Sequence, residues 1–461
     1  MLKIAKDLFS AWNDAGLLYC HWKSNEHLLP GLMGDTDLDV LLSQKDKERG
    51  ESILRSLDYL QCESKFGPHN PHVVNWIGFD GGTGKLIHIH LHYALVTGHG
   101  GFKEYTLPWT EEALSTRVYD DTYGVYMIEP NLELVTLFTR LGLKDSTITK
   151  GTRREIDWLY DRVNMARVKQ LLDTCYGEKS EAMFSLMTKK TIQASDYALL
   201  RRITKSTFKK YRSVKCFVRV REFAFKLVRR FIPVMSKKVP ASGKGLTVVF
   251  LGQDGAGKTT VTHELMKWWS WKMEVRYVYM GIGANYNSLK KRLLLKIQKQ
   301  GILRFLRAFL RLSIPKNVAK ESYKNVVKAE KFASKGGLVI FDRFPQTEFA
   351  GISDGPKIRK MIQENLGKGF FPWLFASMAN TEEKYIRKTV SHHPDVVIKL
   401  VLPPEESIRR KPQENYEAVK QKHEIIKSLK FEHSDVYTID ATMPFEEELV
   451  MIKNIIWQHI H

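Results

Sequence analysis

The stretch Leu246-Thr247-Val248-Val249-Phe250-Leu251 carries no charge and runs directly into Gly252-Gln253-Asp254-Gly255-Ala256-Gly257-Lys258-Thr259-Thr260. Six apolar or β-favouring residues suit a parallel strand covered on both faces, and Val261-Thr262-His263-Glu264-Leu265-Met266 continues as a helix. A strand, a glycine-rich turn and a helix in that order commit this half of the chain to an α/β architecture. Gly252, Gly255 and Gly257 let the backbone curl so that successive N–H groups point inward at phosphate oxygens. Asp254 and Ala256 complete the loop, and the helix starting at Lys258 adds the positive end of its dipole. Lys258 is spaced to reach the β- and γ-phosphates of a nucleotide, and the Thr259 hydroxyl, next to Thr260, to ligate magnesium. The expected cofactors are therefore ATP and Mg2+.

Further strands are expected at Val275–Met280, Leu338–Phe341, Pro394–Pro404 and Val436–Ala441, separated by helical stretches. Alternation of this kind predicts a parallel sheet with ligands at the carboxyl ends of its strands.

A chain of 461 residues calls for two or three domains, and a net charge of +21 calls for a negatively charged partner: nucleotide, nucleic acid or an anionic membrane surface. Cys20, Cys62, Cys175 and Cys216 are scattered without a C-x-x-C pair, which fits reduced thiols in a cytoplasmic protein. The start Met1-Leu2-Lys3-Ile4-Ala5-Lys6-Asp7 shows no signal peptide, and no apolar run is long enough to cross a bilayer. The expected location is cytoplasmic, or peripheral at the inner face of a membrane.

In the second half, the phosphate loop, Asp342-Arg343-Phe344, Pro394-Asp395, Pro403-Pro404-Glu405 and Ile439-Asp440-Ala441 occur in the order found in thymidylate kinases. Over roughly residues 244–461 the chain resembles that family of P-loop nucleoside monophosphate kinases. The resemblance implies that Asp342 sits near the magnesium ion and the transferring phosphoryl group, and that Arg343 holds an acceptor phosphate or other anionic group. It also implies a role for Asp254 in positioning substrate. Ser407-Ile408-Arg409-Arg410-Lys411 falls where the family carries its lid, so Arg409 and Arg410 are expected either to neutralise charge in the transition state or to be an exposed helix turn. The family's Arg-Glu-Pro-Gly-Gly segment is absent, and Gly281-Ile282-Gly283-Ala284-Asn285-Tyr286 stands in its place, which leaves the acceptor open.

In the first half, Asp37 and Asp39 lie two apart on an expected strand, so their carboxylates share a face and are expected metal ligands. Over about the first 145 residues the chain resembles the nucleotidyltransferase superfamily, which pairs such a motif with a Gly/Ser turn and a third carboxylate. Here Lys23-Ser24 replaces the turn and Leu86-Ile87-His88-Ile89-His90-Leu91-His92 offers histidines in place of the third acid. His88, His90 and His92 share one strand face, and either complete a metal site with the two aspartates or form an ordinary polar strand face. His69 and His72 read as loop residues, and Glu129–Lys144 as the helix that follows such a core.

Residues 151–200 are rich in helix formers. From Arg201 to Lys238, basic residues alternate with aromatics around a single acid, Glu222. This connector reads as an amphipathic helix that either lies on a membrane or phosphate backbone or packs its aromatics on a domain. A second basic helix is expected over 290–311.

The expected organisation is an α+β nucleotidyltransferase-like domain at 1–145, a helical extension and basic connector at 146–240, and an α/β P-loop kinase domain with a parallel sheet at 241–461. The expected activity is ATP- and magnesium-dependent phosphotransfer to a nucleoside monophosphate or a membrane-proximal saccharide. The alternatives are nucleotidyl transfer by the first domain and a nucleic-acid end-modifying kinase; a homodimer is compatible with either.

Overall fold

A computed structural model describes residues 1–65, 70–99, 102–144, 148–189, 193–212, 237–281, 304–364 and 372–460, with the single positions 220, 224 and 227. The chain divides into two compact units, Met1–Ala241 and Ser242–His461, each described by itself.

The first unit opens with the helix Lys3–Asp14, which buries Ala5, Leu8, Phe9 and Trp12 on one stripe. Its strands are β1 (Tyr19–His21), β2 (Leu38–Leu42), β3 (Leu60–Ser64), β4 (Val73–Asp80), β5 (Lys85–His92), β6 (Val96–Thr97), β7 (Tyr105–Thr106), β8 (Val118–Asp120), β9 (Val125–Met127) and β10 (Lys238–Pro240). Eight of them form a mixed sheet in the order β10-β3-β4-β5-β2-β1-β9-β8. Period-2 alternation sorts the side chains of β2 and β5. Leu38, Val40, Leu42, Ile87, Ile89 and Leu91 join one core with Phe9 and Trp12. Leu41 joins another core with Trp22 and Phe138 on the opposite face, which is the face Asp39 and the three histidines share.

Helix Pro130–Leu143 starts with the Glu129 carboxylate accepting the Leu132 N–H and Pro130 in its first turn, and buries nearly all of its length. Helices Lys150–Tyr160, Met165–Tyr176 and Ala194–Thr207 pack on it. The helical extension expected from residue 146 thus belongs to the first unit's core. Lys238–Pro240, expected as a linker, pairs antiparallel with β3 as an edge strand, where Pro240 is tolerated. Most of the connector between 201 and 238, and residues 290–303 of the second basic helix, lie outside the described residues.

The second unit contains β11 (Leu246–Gly252), β12 (Val275–Tyr279), β13 (Leu338–Asp342), β14 (Val396–Val401) and β15 (Asp435–Asp440). They form a five-stranded sheet ordered β12-β13-β11-β14-β15 with every neighbouring pair parallel. Leu246 to Leu251 are all buried in the central strand, each large side chain contributing about 1.5–3 kcal/mol of burial. The carboxylate of Asp395 accepts from the Thr247 N–H and hydroxyl at 2.7 Å, tying the start of β11 to that of β14. Helix Arg304–Ala333 contains Pro315 and buries Ala308 and Leu312 against Phe375 and Met378. The described end of the second basic stretch is therefore packed inside its own unit, because its apolar residues meet those of helix Pro372–Val390.

Candidate functional site

From β11 the chain passes over β13 to reach β12, and from β13 it passes over β11 to reach β14. The two connections leave in opposite directions, and the crevice between the carboxyl ends of β11 and β13 is where an open parallel sheet receives ligands. Gly252 ends one strand and Asp342 the other.

Gly255 and Gly257 adopt φ of +90° and +82°, a region that L side chains rarely occupy. Gly257 caps helix Lys258–Trp269, so the helix's unpaired N–H groups open onto the loop. The Lys258 ammonium lies within the loop, donating to the carbonyls of Gly252 at 2.6 Å and Gln253 at 2.9 Å. Burial pushes its pKa down to about 8, with Arg343 adding to the shift and Asp254, Asp342 and Asp354 opposing it. Thr259 and Thr260 are exposed on the first helical turn.

Asp342 is 2% exposed. Its Oδ2 accepts from the Tyr277 hydroxyl at 2.9 Å, while its buried Oδ1 has no hydrogen-bond partner among the described residues. Arg343 follows at φ +74°, a conformation that costs roughly 1–3 kcal/mol for a non-glycine residue. The turn directs its guanidinium to Asp254 (3.5 Å) and Asp354 (3.8 Å), and leaves its buried Nε without a partner among the described residues. The other carboxylate oxygen of Asp254 meets Lys422 at 2.5 Å. Burial would raise the pKa of Asp254, but Lys422, Lys258 and Arg343 hold it below the usual carboxylate range.

Asp254, Arg343 and Lys422 line a cleft of about 200 Å³ bounded also by Gly351, Ser353, Asp354 and Lys357. Among the described residues of the second unit, the non-glycine positions with positive φ are Arg343, Ser353 and Asp354, and all three border this cleft. Backbone strain gathered at one place marks a surface shaped for something other than stability.

The expected lid segment is the end of helix Pro404–Arg410, seated on the loop: the Ser407 hydroxyl donates to the Asp254 carbonyl. Arg410 donates to the carbonyls of Gly255 (3.3 Å) and Ala441 (3.0 Å). Arg409 is exposed and pairs with Glu406 at 2.8 Å, one helical turn away, so the two arginines are not equivalent.

In the first unit, register places Asp39 opposite His90. Asp39 Oδ1 receives Lys23 Nζ at 2.7 Å, His90 Nδ1 at 3.2 Å and His92 Nε2 at 3.2 Å. Asp37 Oδ1 lies 2.8 Å from His88 Nδ1, and Asp37 Oδ2 lies 3.9 Å from His90 Nε2. Burial alone would raise the pKa of Asp39, yet Lys23 and the two imidazoles bring it well below the usual range. Burial pushes His88 down to about 3 and lowers His90 and His92 as well.

The structure thus brings Lys258, Asp342, Arg343, Asp254 and Arg410 to one crevice, and Asp37 and Asp39 to a separate cluster with the three histidines. Reading the sequence missed Tyr277, Asp354, Lys357 and Lys422. Ser353-Asp354-Gly355 carries turn composition that marks the bend around Asp354, whereas Lys422 sits unmarked in helix Tyr416–Ser428. Cys20 and Cys62 are buried free thiols, and no described helix is long and apolar enough to cross a membrane.

No protein-family model matches the chain. It is similar to the uncharacterized ATP-binding protein YghR of Escherichia coli K12, with 27% identity over 216 residues that span 44% of this chain and 83% of YghR. The uncharacterized ATP-binding protein YghS of the same strain is 25% identical over 223 residues, 44% of this chain and 88% of YghS. Among solved structures, a deoxyadenosine kinase from M. mycoides aligns with a TM-score of 0.30 and 15% identity over 46% of this chain and 98% of the kinase.

Proposed function

We propose that the second unit is an ATP- and magnesium-dependent phosphotransferase whose acceptor bears a phosphate group. The observation that carries this reading is the meeting of the glycine loop, Lys258, Asp342 and Arg343 at the crevice between two parallel strands that feed opposite connections. Relatives named as ATP-binding proteins support the same nucleotide.

The residues present fit the ion as well as the nucleotide. Asp342 Oδ1 is a buried carboxylate oxygen with no described partner, and Thr259 offers a hydroxyl at the head of the loop helix. Bound there, magnesium would offset charge on the phosphate oxygens. The chain's own part is to position and to neutralise. Loop N–H groups and the helix end hold the phosphate tail, and Lys258 exchanges its two carbonyl acceptors for phosphate oxygens. Arg343 is held by carboxylates on both sides so that its planar fork faces the cleft, where it would grip an acceptor phosphate. Lys357 and Lys422 add positive charge, and Asp254 and Asp354 supply acceptors for hydroxyl groups. That mixture suits a phosphorylated polyhydroxylic acceptor, either a nucleoside monophosphate or a phosphate-bearing saccharide.

Incubation with γ-labelled ATP, magnesium and a panel of nucleotides, sugar phosphates and lipid-linked saccharides tests the reading. Label should pass to a phosphate-bearing acceptor with the full chain and not with Lys258→Ala. Equal transfer by the variant, or transfer only to unphosphorylated compounds, would overturn it.

A further inference from the structure

We infer that the first unit holds a binding site for one divalent transition-metal ion, formed by His90 Nε2 with Asp37 and His88, while Asp39 holds the His90 ring from its Nδ1 side. The inference stands apart from the phosphotransfer reading, since it concerns the other unit and needs no nucleotide.

Two triads of ligand atoms, Asp37-His88-His90 and Asp39-His90-His92, each lie within 4.8 Å of one another, and His90 belongs to both. That sharing follows from the fold. β2 and β5 run parallel with Asp39 directly opposite His90, and alternation places His88, His90 and His92 on the face that carries Asp39. His90 presents its Nδ1 toward Asp39 and its Nε2 toward Asp37. An ion at Nε2 would replace the direct contacts of Asp37 with His88 and His90 and gather two imidazole nitrogens and a carboxylate oxygen, while Asp39 accepts from the Nδ1 side of the ring and fixes its orientation.

The donor set decides which ion. Two imidazoles and a carboxylate form a nitrogen-rich site, which suits Zn2+ or Co2+ better than Mg2+, an ion that prefers oxygen donors. His88 and His92 are fully buried and Asp39 nearly so, while the side chains of His90 and Asp37 are 22% and 27% exposed, which provides an entry path. Lys23 bonds to Asp39 at 2.7 Å, so this carboxylate is already neutralised and serves as the partner of His90 Nδ1 and not as a ligand of the ion.

The test uses the full chain without nucleotide. After removal of metal with chelator, the protein is dialysed against Zn2+ or Co2+ at micromolar free concentration, and bound metal is counted by mass spectrometry. The expected result is one tightly held ion per chain, with a Co2+ absorption spectrum that reports mixed nitrogen and oxygen ligation. His90→Ala should weaken uptake by about tenfold or more, and His90→Asp should shift preference from Zn2+ toward Mn2+ and Mg2+. Asp37→Asn, at a partly exposed position, provides an independent loss of a ligand should His90→Ala fail to fold. Uptake that is absent in the wild-type chain, or that survives both His90→Ala and Asp37→Asn unchanged, would overturn the inference.

Discussion

The crevice of the second unit is made mostly of main chain, whereas the cluster of the first is made of side chains. At the phosphate loop, Gly255 and Gly257 bend the backbone and Lys258 sets its ammonium against the loop's own carbonyls. At β2 and β5 the backbone is ordinary sheet, and the chemistry comes from five side chains that alternation and register aim at each other. The main-chain site sits where the sheet's connections diverge and carries local strain at Arg343, Ser353 and Asp354. The side-chain site lies on a sheet face, where neutralisation comes from hydrogen bonds and the Lys23 ion pair. A loop of amides recognises any phosphate, while a set of imidazoles and carboxylates selects an ion by donor type.

The sharpest way to break this contrast is to remove Lys258. Lys258→Ala should lower phosphotransfer by about a hundredfold or more, and metal uptake by the first unit should stay at the wild-type level. Loss of both in a folded variant would mean that the two sites are not separate devices.

Arg343→Lys keeps the charge but loses the planar fork that spans Asp254 and Asp354. A fall of about thirtyfold in kcat/KM for the phosphate-bearing acceptor, roughly 2 kcal/mol, is expected from steady-state kinetics, with ATP binding little changed. An equal loss of ATP affinity would place Arg343 on the donor and blur the division within the crevice.

Gly257→Ala probes the main-chain half of the comparison. No atom lies within 4 Å of the added Cβ, so the cost comes from forcing alanine to φ +82°. The expected destabilisation is about 1–2 kcal/mol in denaturant unfolding, together with weaker nucleotide binding. An alanine tolerated without either effect would show that the loop does not depend on this bend.

The smallest effect is with pH. Lys258 has its pKa lowered to about 8, first by burial and then by Arg343, and only its protonated form attracts phosphate. Nucleotide affinity should therefore be full below that value and decline as pH rises through it, by at most about tenfold per pH unit, because bound phosphate restores the proton. Calorimetric titrations between neutral and alkaline pH measure the slope. A rise in affinity with pH would reverse the sign of the argument.

What the sequence revealed followed the same division. A main-chain site leaves a local signature: the glycines, the lysine and the strand before them are contiguous, and the strand ends at Asp342 and Gly252 could be read from apolar runs. A side-chain site is assembled by register, so the alternation of His88, His90 and His92 was visible while their pairing with Asp37 and Asp39 depended on β2 and β5 being neighbours. Lys422 reaches the cleft from a distant helix and carried no spacing that announced it, whereas Asp354 showed in the sequence as turn composition alone. The strand Lys238–Pro240 was hidden because its partner β3 lies far away in the chain, near the start of the first unit. Ser407 and Arg410 were read as lid residues from their place in the order of motifs, and their hydrogen bonds to the loop backbone could not be read that way.

Isothermal titration of Mg–ATP into the full chain and into Lys258→Ala is the most direct measurement of the central claim. One nucleotide per chain for the wild type, with no detectable uptake by the folded variant, is the predicted result. Binding of equal strength in both, or none in either, would contradict the account.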